Sequence, residues 1–356
     1  MNQNRIILLV TLLVAGLASC KKDKDDSQAP KVTTGVYVLC EGLATKNNSM
    51  LSFYSFSTGA ASTDFFAKAN SGTGLGDTGN DMVIYGGKMY IVMNVSSVVT
   101  VANALTGQKI KNIDFSKPGG APRSPRYVIP YKGKVLVSDW DGKVAVIDTT
   151  NLTIEKDIII GPNLEQMAII GDKLYVVNSG ALNTVNDSTV SVINLNTMTE
   201  TQKITVGYNP GYMTSDESGN LYISCGPNYN TGAKPKLVKV STSTNTVLKV
   251  ADTSVGHIKY YGGALYAASS YDGVKTLRKL STTDFSQLSP NFVTDGTPIV
   301  NPYNVNVDPE NGDVYVADAK DYKTSGEVIC LDKAGKKKFS FSTTPAVNPS
   351  TVVFIK

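Results

Sequence analysis

The stretch Asp172-Lys173-Leu174-Tyr175-Val176-Val177 decides the fold, because it is one copy of a phrase that recurs along the whole chain. Each copy joins a Gly or Asp turn residue to a short apolar strand that is usually centred on Tyr. β-Branched and aromatic side chains suit a pleated surface, and Gly suits a turn. Successive copies are 39 to 53 residues apart. Their central residues are Tyr37, Tyr90, Leu136, Tyr175, Tyr222, Tyr266 and Tyr315.

Each copy has the same neighbours, and together they make a four-stranded unit. An alternating strand follows the copy, as at residues 144–148, and a polar turn then leads to a further strand, as at residues 155–160. Another short strand, which often begins after Pro, precedes the copy, as at residues 125–129. Four strands in each repeat of about 40–50 residues is the signature of a β-propeller.

The two ends of the chain complete the count of strands. The first copy lacks a preceding strand, whereas the chain ends on Asn348-Pro349-Ser350-Thr351-Val352-Val353-Phe354, which has the form of a preceding strand without a copy. We expect this segment to pair with the first copy, because closure removes the exposed strand edges that invite aggregation. The sequence therefore predicts an all-β, seven-bladed β-propeller over residues 33–356, with blade one closed by the C-terminal strand. The alternatives are an eight-bladed ring and a pair of β-sandwiches, although no eighth copy is found.

The N-terminus reads as a targeting segment. Arg5 precedes an apolar run over residues 6–16, which is too short to span a bilayer, and the run leads to Leu17-Ala18-Ser19-Cys20. This ending resembles a bacterial lipobox, which implies a signal peptide over residues 1–19 and lipidation of Cys20. Residues 20–32 are charged and poor in apolar side chains, so we expect a flexible tether. Its Lys-Asp-Asp element resembles the export signal of Bacteroidetes surface lipoproteins, which implies an outer-membrane, lipid-anchored protein exposed at the cell surface.

Composition excludes several classes of function. The hydrophobic fraction is 41%, the charged fraction is 18% and the net charge is +4, without a basic stripe that would bind nucleic acid. One His in the chain rules out a His-rich metal site and any mechanism that needs two imidazoles. Cys40, Cys225 and Cys330 form no Cys-x-x-Cys pair and lie in or beside apolar strands, which favours small buried side chains.

The repeats, the first-blade phrase and the lipobox together resemble the YncE-like seven-bladed propellers, including the DUF5074-type lipoproteins of gut Bacteroidetes. The first-blade phrase is Val36-Tyr37-Val38-Leu39-Cys40-Glu41-Gly42 followed by Asn47-Asn48-Ser49, and Cys40 stands where the family commonly has Asn. Part of this family captures cobalamin at the cell surface and delivers it to a TonB-dependent outer-membrane transporter. The resemblance alone implies that activity and that partner for this chain.

Two local motifs suggest ligands but fit turns better. The Gly-rich stretch at residues 72–79 lacks the Lys-Ser or Lys-Thr of a phosphate loop and precedes a strand rather than a helix. The acidic stretch at residues 308–313 could suggest calcium. However, residues 216–220 occupy the same turn in another repeat, and recurrence at one turn favours a structural role.

Candidate binding residues lie at the starts of the inner strands and in the loops between second and third strands. The residues expected to face the central channel are Asn80, Asp81, Arg126, Glu165, Gln166, Tyr212, His257, Tyr303, Asn304 and Ser350. Long second-to-third loops at residues 41–49, 179–188, 226–235 and 319–326 are expected on one face, and they carry several Tyr and Asn residues, Asn183 among them. The ligand-binding set predicted from both sources is Arg126, Trp140, Tyr212, Asn228, Tyr229, His257, Tyr271, Tyr303 and Tyr322.

The sequence-based hypothesis is a non-enzymatic protein that captures a small molecule on the long-loop face and needs no cofactor. Aromatic rings with Asn, Ser and Arg at a concave mouth suit a large, partly polar ligand. A corrinoid is preferred because of the family resemblance. A glycan- or peptide-binding propeller and a metal-dependent hydrolase or lactonase are the alternatives, since a fold does not determine a function.

Overall fold

A computed structural model describes residues 33–180 and 187–356. The predicted signal peptide, Cys20 and the tether lie outside the described residues, and so does Asn183. The described chain forms seven four-stranded antiparallel sheets, which confirms the predicted seven-bladed propeller. The first strand of each blade contacts the first strand of the next blade, so that the seven inner strands form a closed ring.

The strands of the first four blades follow, each blade in order of pairing from its inner strand outwards. Blade one has β28 (Pro349–Ile355), β1 (Gly35–Cys40), β2 (Met50–Ser55) and β3 (Ala60–Ser62). Blade two has β4 (Gly79–Tyr85), β5 (Lys88–Met93), β6 (Val98–Asn103) and β7 (Lys109–Asp114). Blade three has β8 (Pro125–Tyr131), β9 (Lys134–Asp139), β10 (Lys143–Asp148) and β11 (Thr153–Ile159). Blade four has β12 (Leu164–Ile170), β13 (Lys173–Asn178), β14 (Thr189–Asn194) and β15 (Thr199–Thr205).

The other three blades follow the same plan. Blade five has β16 (Pro210–Ser215), β17 (Asn220–Cys225), β18 (Lys236–Ser241) and β19 (Thr246–Ala251). Blade six has β20 (Ile258–Tyr261), β21 (Ala264–Ala267), β22 (Arg278–Ser281) and β23 (Gln287–Ser289). Blade seven has β24 (Pro302–Val307), β25 (Val314–Asp318), β26 (Ser325–Leu331) and β27 (Lys337–Val347).

The C-terminal strand closes the ring as the sequence predicts. β28 pairs with β1 in antiparallel register, with Val352 opposite Val38. β28 also contacts the inner strands β4 and β24 of the two neighbouring blades. The first and last segments of the described chain therefore share blade one.

One short helix was not anticipated from the sequence. α1 (Phe65–Ala69) lies between β3 and β4 and buries Phe66 and Ala67. Phe65 packs against Tyr37, with ring centroids 5.3 Å apart. Five residues are too few to show a helical period in the sequence, and packing of the two Phe side chains holds the helix in place.

The apolar core lies between the blades rather than within them. Each of seven clusters of buried side chains in the described chain draws its members from two neighbouring blades. For example, Val92 of blade two packs in one cluster with Val137 of blade three. The three thiols are buried and unpaired, as expected, and burial raises the pKa of Cys40 and Cys225 to about 12.

The recurrent Tyr connects adjacent blades. The Tyr37 hydroxyl donates to the Ala104 carbonyl at 2.6 Å, in the turn between the third and fourth strands of the next blade. The Tyr175 hydroxyl reaches the same turn of blade five, where Thr242 O lies at 3.2 Å and Asn245 Oδ1 at 2.8 Å. The equivalent Tyr90 hydroxyl is buried and has no hydrogen-bond partner among the described residues. In blades one and four the phrase that identifies the repeat thus also supplies a hydrogen bond between blades, whereas the Tyr222 hydroxyl donates to Asp216 within blade five.

This difference between two equivalent tyrosines generates a prediction. Tyr175→Phe removes the hydroxyl that donates across the interface to blade five, so it should lower the free energy of unfolding by about 1–2 kcal/mol. Tyr90→Phe removes a buried hydroxyl that has no partner and should be neutral or slightly stabilising. Denaturant unfolding followed by circular dichroism measures both. Equal losses in the two variants would show that the hydroxyl does not connect the blades.

Candidate functional site

Irregular pairing at the starts of the inner strands forms the centre of the candidate site. In six blades the register between the first and second strands shifts at the first residues of the inner strand. A β-bulge of this kind leaves residues unpaired and redirects their side chains. The residues at these shifts include Asn80, Arg126, Glu165, Gln166, Tyr303 and Ser350.

The redirected side chains line a cavity in the central channel with a volume of about 270 Å³. Nine of the ten residues expected to face the channel line it, and Glu165 lies instead in the pocket above it. Glu41 and Lys259 also line the cavity and were not among the candidates. The alternation of His257, Ile258 and Lys259 could have identified Lys259, because a period of two places the outer pair on one face.

Arg126 is the best-connected candidate. Its Nε donates to Glu165 Oε2 at 2.9 Å, and its Nη1 donates to Asn80 Oδ1. The guanidinium carbon lies 4.7 Å from the centroid of the Trp140 ring, within the range of a cation–π contact. Burial opposes the charge of Arg126, but the Glu165 carboxylate outweighs this effect and raises the pKa of the guanidinium above its usual value.

Trp140 lies at this corner of the mouth and is half-buried rather than exposed. The indole Nε1 donates to Glu165 Oε1 at 3.0 Å. A buried indole N–H usually needs such a partner, because it has lost its hydrogen bond to water. Glu165 therefore binds both Arg126 and Trp140. The expectation that the indole N–H finds a partner at the mouth agrees with this arrangement, whereas the expectation of an exposed ring does not.

A row of aromatic rings runs from the channel to the loop of blade seven. Tyr212 and His257 have ring centroids 3.8 Å apart, His257 and Tyr303 are 5.5 Å apart, and Tyr303 and Tyr322 are 5.6 Å apart. Burial, together with the nearby Arg126 charge, lowers the pKa of His257 to about 3. The imidazole is therefore neutral near pH 7 and packs as an aromatic ring.

Two further depressions lie on the long-loop face. We call the first the mouth pocket; its volume is about 250 Å³, and Arg126, Tyr212, Tyr229 and Tyr271 are among its walls. We call the second the outer groove; its volume is about 470 Å³, and it shares Tyr229 and Tyr271 with the mouth pocket. The mouth pocket in turn shares Arg126 and Tyr212 with the channel cavity. The three spaces are thus lined by common side chains.

Asn228 and Tyr229 are adjacent in the loop at the outer groove, but their side chains have different roles. Asn228 is buried, and its Oδ1 accepts hydrogen bonds from the backbone of Asn230 and Thr231. This side chain therefore shapes the loop. Tyr229 is 85% exposed, which leaves its ring available at the edge of the groove.

Two carboxyl groups in the channel have pKa values above the usual range of Glu and Asp. Burial raises the pKa of Glu41 to about 7, although a hydrogen bond from Tyr303 and the charge of Arg126 oppose the rise. Burial likewise raises the pKa of Asp81 to about 7, against a hydrogen bond from the backbone of Val128. The Tyr303 hydroxyl lies 3.0 and 3.1 Å from the two Glu41 oxygens.

The motifs that suggested cations form turns. Asp308 Oδ1 accepts from the backbone N–H of Glu310 at 3.0 Å, and Asp313 pairs with Lys338 at 2.5 Å. Across residues 33–180 and 187–356, no group of three or more His, Cys, Asp and Glu side chains could hold a metal ion. No helix within these ranges is long and apolar enough to cross a membrane.

The acidity of Glu41 predicts a pH dependence of stability. The pKa in the folded state lies above that of an exposed Glu, so the folded state binds more protons between about pH 4.5 and pH 7. The stabilisation is complete below this window and is lost as pH rises through 7. Glu41→Gln should therefore flatten the fall in the free energy of unfolding between pH 5 and pH 8 by an amount on the order of 1–3 kcal/mol. Denaturant titrations at several pH values test this, and a variant that keeps the wild-type slope would contradict it.

Solved structures with the same fold come from proteins of different descriptions. A quinoprotein alcohol dehydrogenase-like protein from Bacteroides thetaiotaomicron matches with a TM-score of 0.64 and 16% identity over 90% of this chain and 78% of the other. The computationally designed protein Ika8 matches with a TM-score of 0.57 and 12% identity over 88% and 89%. Hydrazine synthase from Kuenenia stuttgartiensis matches with a TM-score of 0.53 and 15% identity over 71% and 76%. At these identities the likeness shows the fold alone.

Sequence comparison identifies the family. No curated protein matches the chain. The family described as "Domain of unknown function (DUF5074)" matches residues 34–325, which is most of the chain and includes strands from all seven blades. The chain therefore belongs to the DUF5074 family, as the resemblance of its repeats implied.

Proposed function

We propose that this propeller captures a small molecule at the channel mouth, in the mouth pocket and the outer groove, and that its first candidate ligand is a corrinoid such as cobalamin. In this proposal the protein is not an enzyme and needs no cofactor. It is a lipoprotein of the outer membrane and delivers its ligand to a TonB-dependent transporter. The anchor rests on the Leu-Ala-Ser-Cys motif at residues 17–20, and the transporter rests on the family resemblance.

The observation that carries the proposal is the exposed aromatic surface beside two adjoining depressions. Tyr229 is 85% exposed and Tyr271 is 39% exposed, and both line the mouth pocket and the outer groove. Large aromatic rings exposed around a concavity mark a binding surface. Arg126 at the base of the mouth pocket adds a polar group of fixed orientation, since Glu165 and Asn80 hold it in place.

The size and chemistry of the surface suit a flat ligand with polar edges. Tyr229 and Tyr271 offer ring faces, while Arg126 offers a polar group in the mouth pocket. A corrin macrocycle with amide side chains combines these two features and would span both depressions. A glycan has similar features, so the assay compares both classes.

The buried thiols and the imidazole of the propeller are poorly suited to act as a nucleophile or a general base near pH 7. Burial raises the pKa of the Cys40 and Cys225 thiols to about 12, so little thiolate exists near pH 7. A pKa of about 3 makes His257 a weak base at that pH.

Titration of cobalamin tests the binding proposal. Trp140 is the one Trp of the chain and stacks on Arg126, so its fluorescence should change when ligand enters the mouth pocket. Tyr229→Ala should weaken binding by about 1–4 kcal/mol, the usual cost of truncating an aromatic side chain that a ligand covers. Leu105→Ala is the control, since Leu105 is 79% exposed in a third-to-fourth-strand turn on the opposite face.

The outcomes separate the ligand from the surface. Saturable cobalamin binding that weakens in Tyr229→Ala but not in Leu105→Ala is expected. Binding of a glycan that weakens in the same variant would confirm the binding surface but identify the ligand as a glycan rather than a corrinoid. Equal effects of the two substitutions would place the ligand elsewhere and overturn the proposal.

Removal of the predicted lipid anchor tests localisation. Cys20→Ala should move the protein from the membrane fraction to the soluble fraction, because each buried acyl methylene contributes about 0.8 kcal/mol to membrane binding. Cys225→Ala, which removes a buried thiol of the propeller, is the matched control. A Cys20→Ala variant that stays in the membrane fraction would contradict lipidation at this residue.

A further inference from the structure

The channel cavity below the mouth pocket has a chemistry of its own. All seven blades contribute to its lining, and most of the side chains are polar. Five of them can carry a charge through acid or base groups other than phenols: Glu41, Asp81, Arg126, His257 and Lys259. The proposed capture of a ligand by the exposed aromatic rings does not account for this interior.

Lys259 is a cation without a fixed partner. It lies on the channel face of β20, while its neighbour Ile258 is buried in the core between blades five and six. Within the described chain, Lys259 Nζ makes no hydrogen bond and no carboxylate oxygen lies within 4.0 Å of it. The side chain reaches the solvent that fills the channel. The surrounding channel walls desolvate its ammonium group and lower the pKa of that group, although the Asp81 carboxylate opposes this change.

Two side-chain amides turn their nitrogens away from the backbone groups that hold them. Gln166 Oε1 accepts from the backbone N–H of Met213 at 2.7 Å, and Asn304 Oδ1 accepts from the backbone N–H of Val305 at 2.7 Å. Gln166 Nε2 and Asn304 Nδ2 have no acceptor in the described ranges, and both residues line the cavity. The oxygen of each side-chain amide therefore accepts a backbone hydrogen bond, and the nitrogen of each remains available to donate to a ligand.

Arg126 adds a further donor at the top of the cavity. Its Nε and Nη1 donate to Glu165 and Asn80, whereas Nη2 has no acceptor among the residues described. The orientation of the guanidinium is already set by these two contacts, so the remaining N–H groups are positioned before any ligand arrives. Arg126 thus provides a preorganised charge-assisted donor.

The acidic side chains of the cavity are partly engaged. Both Glu41 oxygens accept from the Tyr303 hydroxyl, and Asp81 Oδ2 accepts from the backbone N–H of Val128 at 3.0 Å. Burial also raises the pKa of both carboxyl groups to about 7, so each is partly protonated in neutral solution. The unused groups of the cavity are therefore mostly donors and cations.

We propose that the channel cavity binds an anionic oxygen group, a phosphate or a carboxylate, through Lys259 Nζ, Arg126 Nη2 and the amide nitrogens of Gln166 and Asn304. This site goes beyond the proposed capture of a ligand at the mouth. A cavity of about 270 Å³ has room for such a group. Because Arg126 and Tyr212 also line the mouth pocket, the group enters either as a free ion or as the end of a larger molecule.

Calorimetric titration with inorganic phosphate tests the site. Lys259→Met removes the unpaired charge and keeps most of the length of the side chain, and it should weaken phosphate binding about tenfold or more. Gln166→Glu keeps an oxygen for the Met213 N–H but replaces the free donor by an acceptor, and it should abolish binding. Lys156→Met is the charge-matched control on the exposed strand β11 and should stay within about twofold of wild type.

Phenyl phosphate distinguishes the two sources of the group. Tighter binding than phosphate, with the gain lost in Tyr229→Ala, assigns the site to the anionic end of a larger ligand. Equal binding of both probes assigns it to a free ion. Thermal melting of each variant confirms folding, and Gln166→Glu decides the question should Lys259→Met fail to fold.

Three results would overturn the proposal: no saturable phosphate binding by the wild type, equal affinity of Lys259→Met and wild type, or stabilisation by a divalent cation in place of phosphate. The proposed anion site and the proposed capture of a ligand at the mouth are tested separately, so either proposal can be wrong while the other holds. Tyr229→Ala should weaken cobalamin binding without changing the affinity for inorganic phosphate, and Lys259→Met should weaken phosphate binding about tenfold or more whether or not cobalamin binds at the mouth.

Discussion

Packing of one blade against the next is the interaction on which the rest of the structure depends. Every apolar cluster of the described chain draws on two neighbouring blades, so no blade has a core of its own. The recurrent Tyr contributes to these clusters, and in blades one and four its hydroxyl also reaches the next blade. Stability in such an array comes from the interfaces between repeats, and a ring makes every repeat an internal one. The pairing of β28 with β1 therefore stabilises the whole ring, because it completes the blade that joins blade seven to blade two.

The closed ring also explains why the site is polar and where it lies. Side chains at the starts of the inner strands link neighbouring blades through backbone groups: Asp81 accepts from Val128, and Gln166 accepts from Met213. Bulges at these positions turn further side chains, among them Arg126 and Tyr303, toward the channel. Groups that hold the ring together thus line the channel cavity, and the loops above it are free to vary. Aromatic rings on those loops supply the apolar part of the site.

Much of the fold could be predicted because the strand pattern occurs seven times in the sequence, and each copy strengthens the interpretation of the others. Residues such as Arg126 and His257 could be placed in the channel by the same argument, because they occupy equivalent positions in their repeats. Glu41 was missed because it reaches the channel from a second-to-third-strand loop rather than from an inner strand. The half-burial of Trp140 depends on Glu165 of the next blade, and α1 depends on packing around Phe65 and Phe66, and neither contact is visible in a local pattern.

Hydrogen–deuterium exchange with and without cobalamin tests the central claim, that the long-loop face over the channel is the functional face. We expect slower exchange in the loops at residues 226–235 and 269–274 and at the starts of the inner strands. Turns of the opposite face, at residues 149–151 and 196–198, should be unchanged. Slower exchange confined to those opposite turns, or no change anywhere, would show that the long-loop face does not bind the ligand.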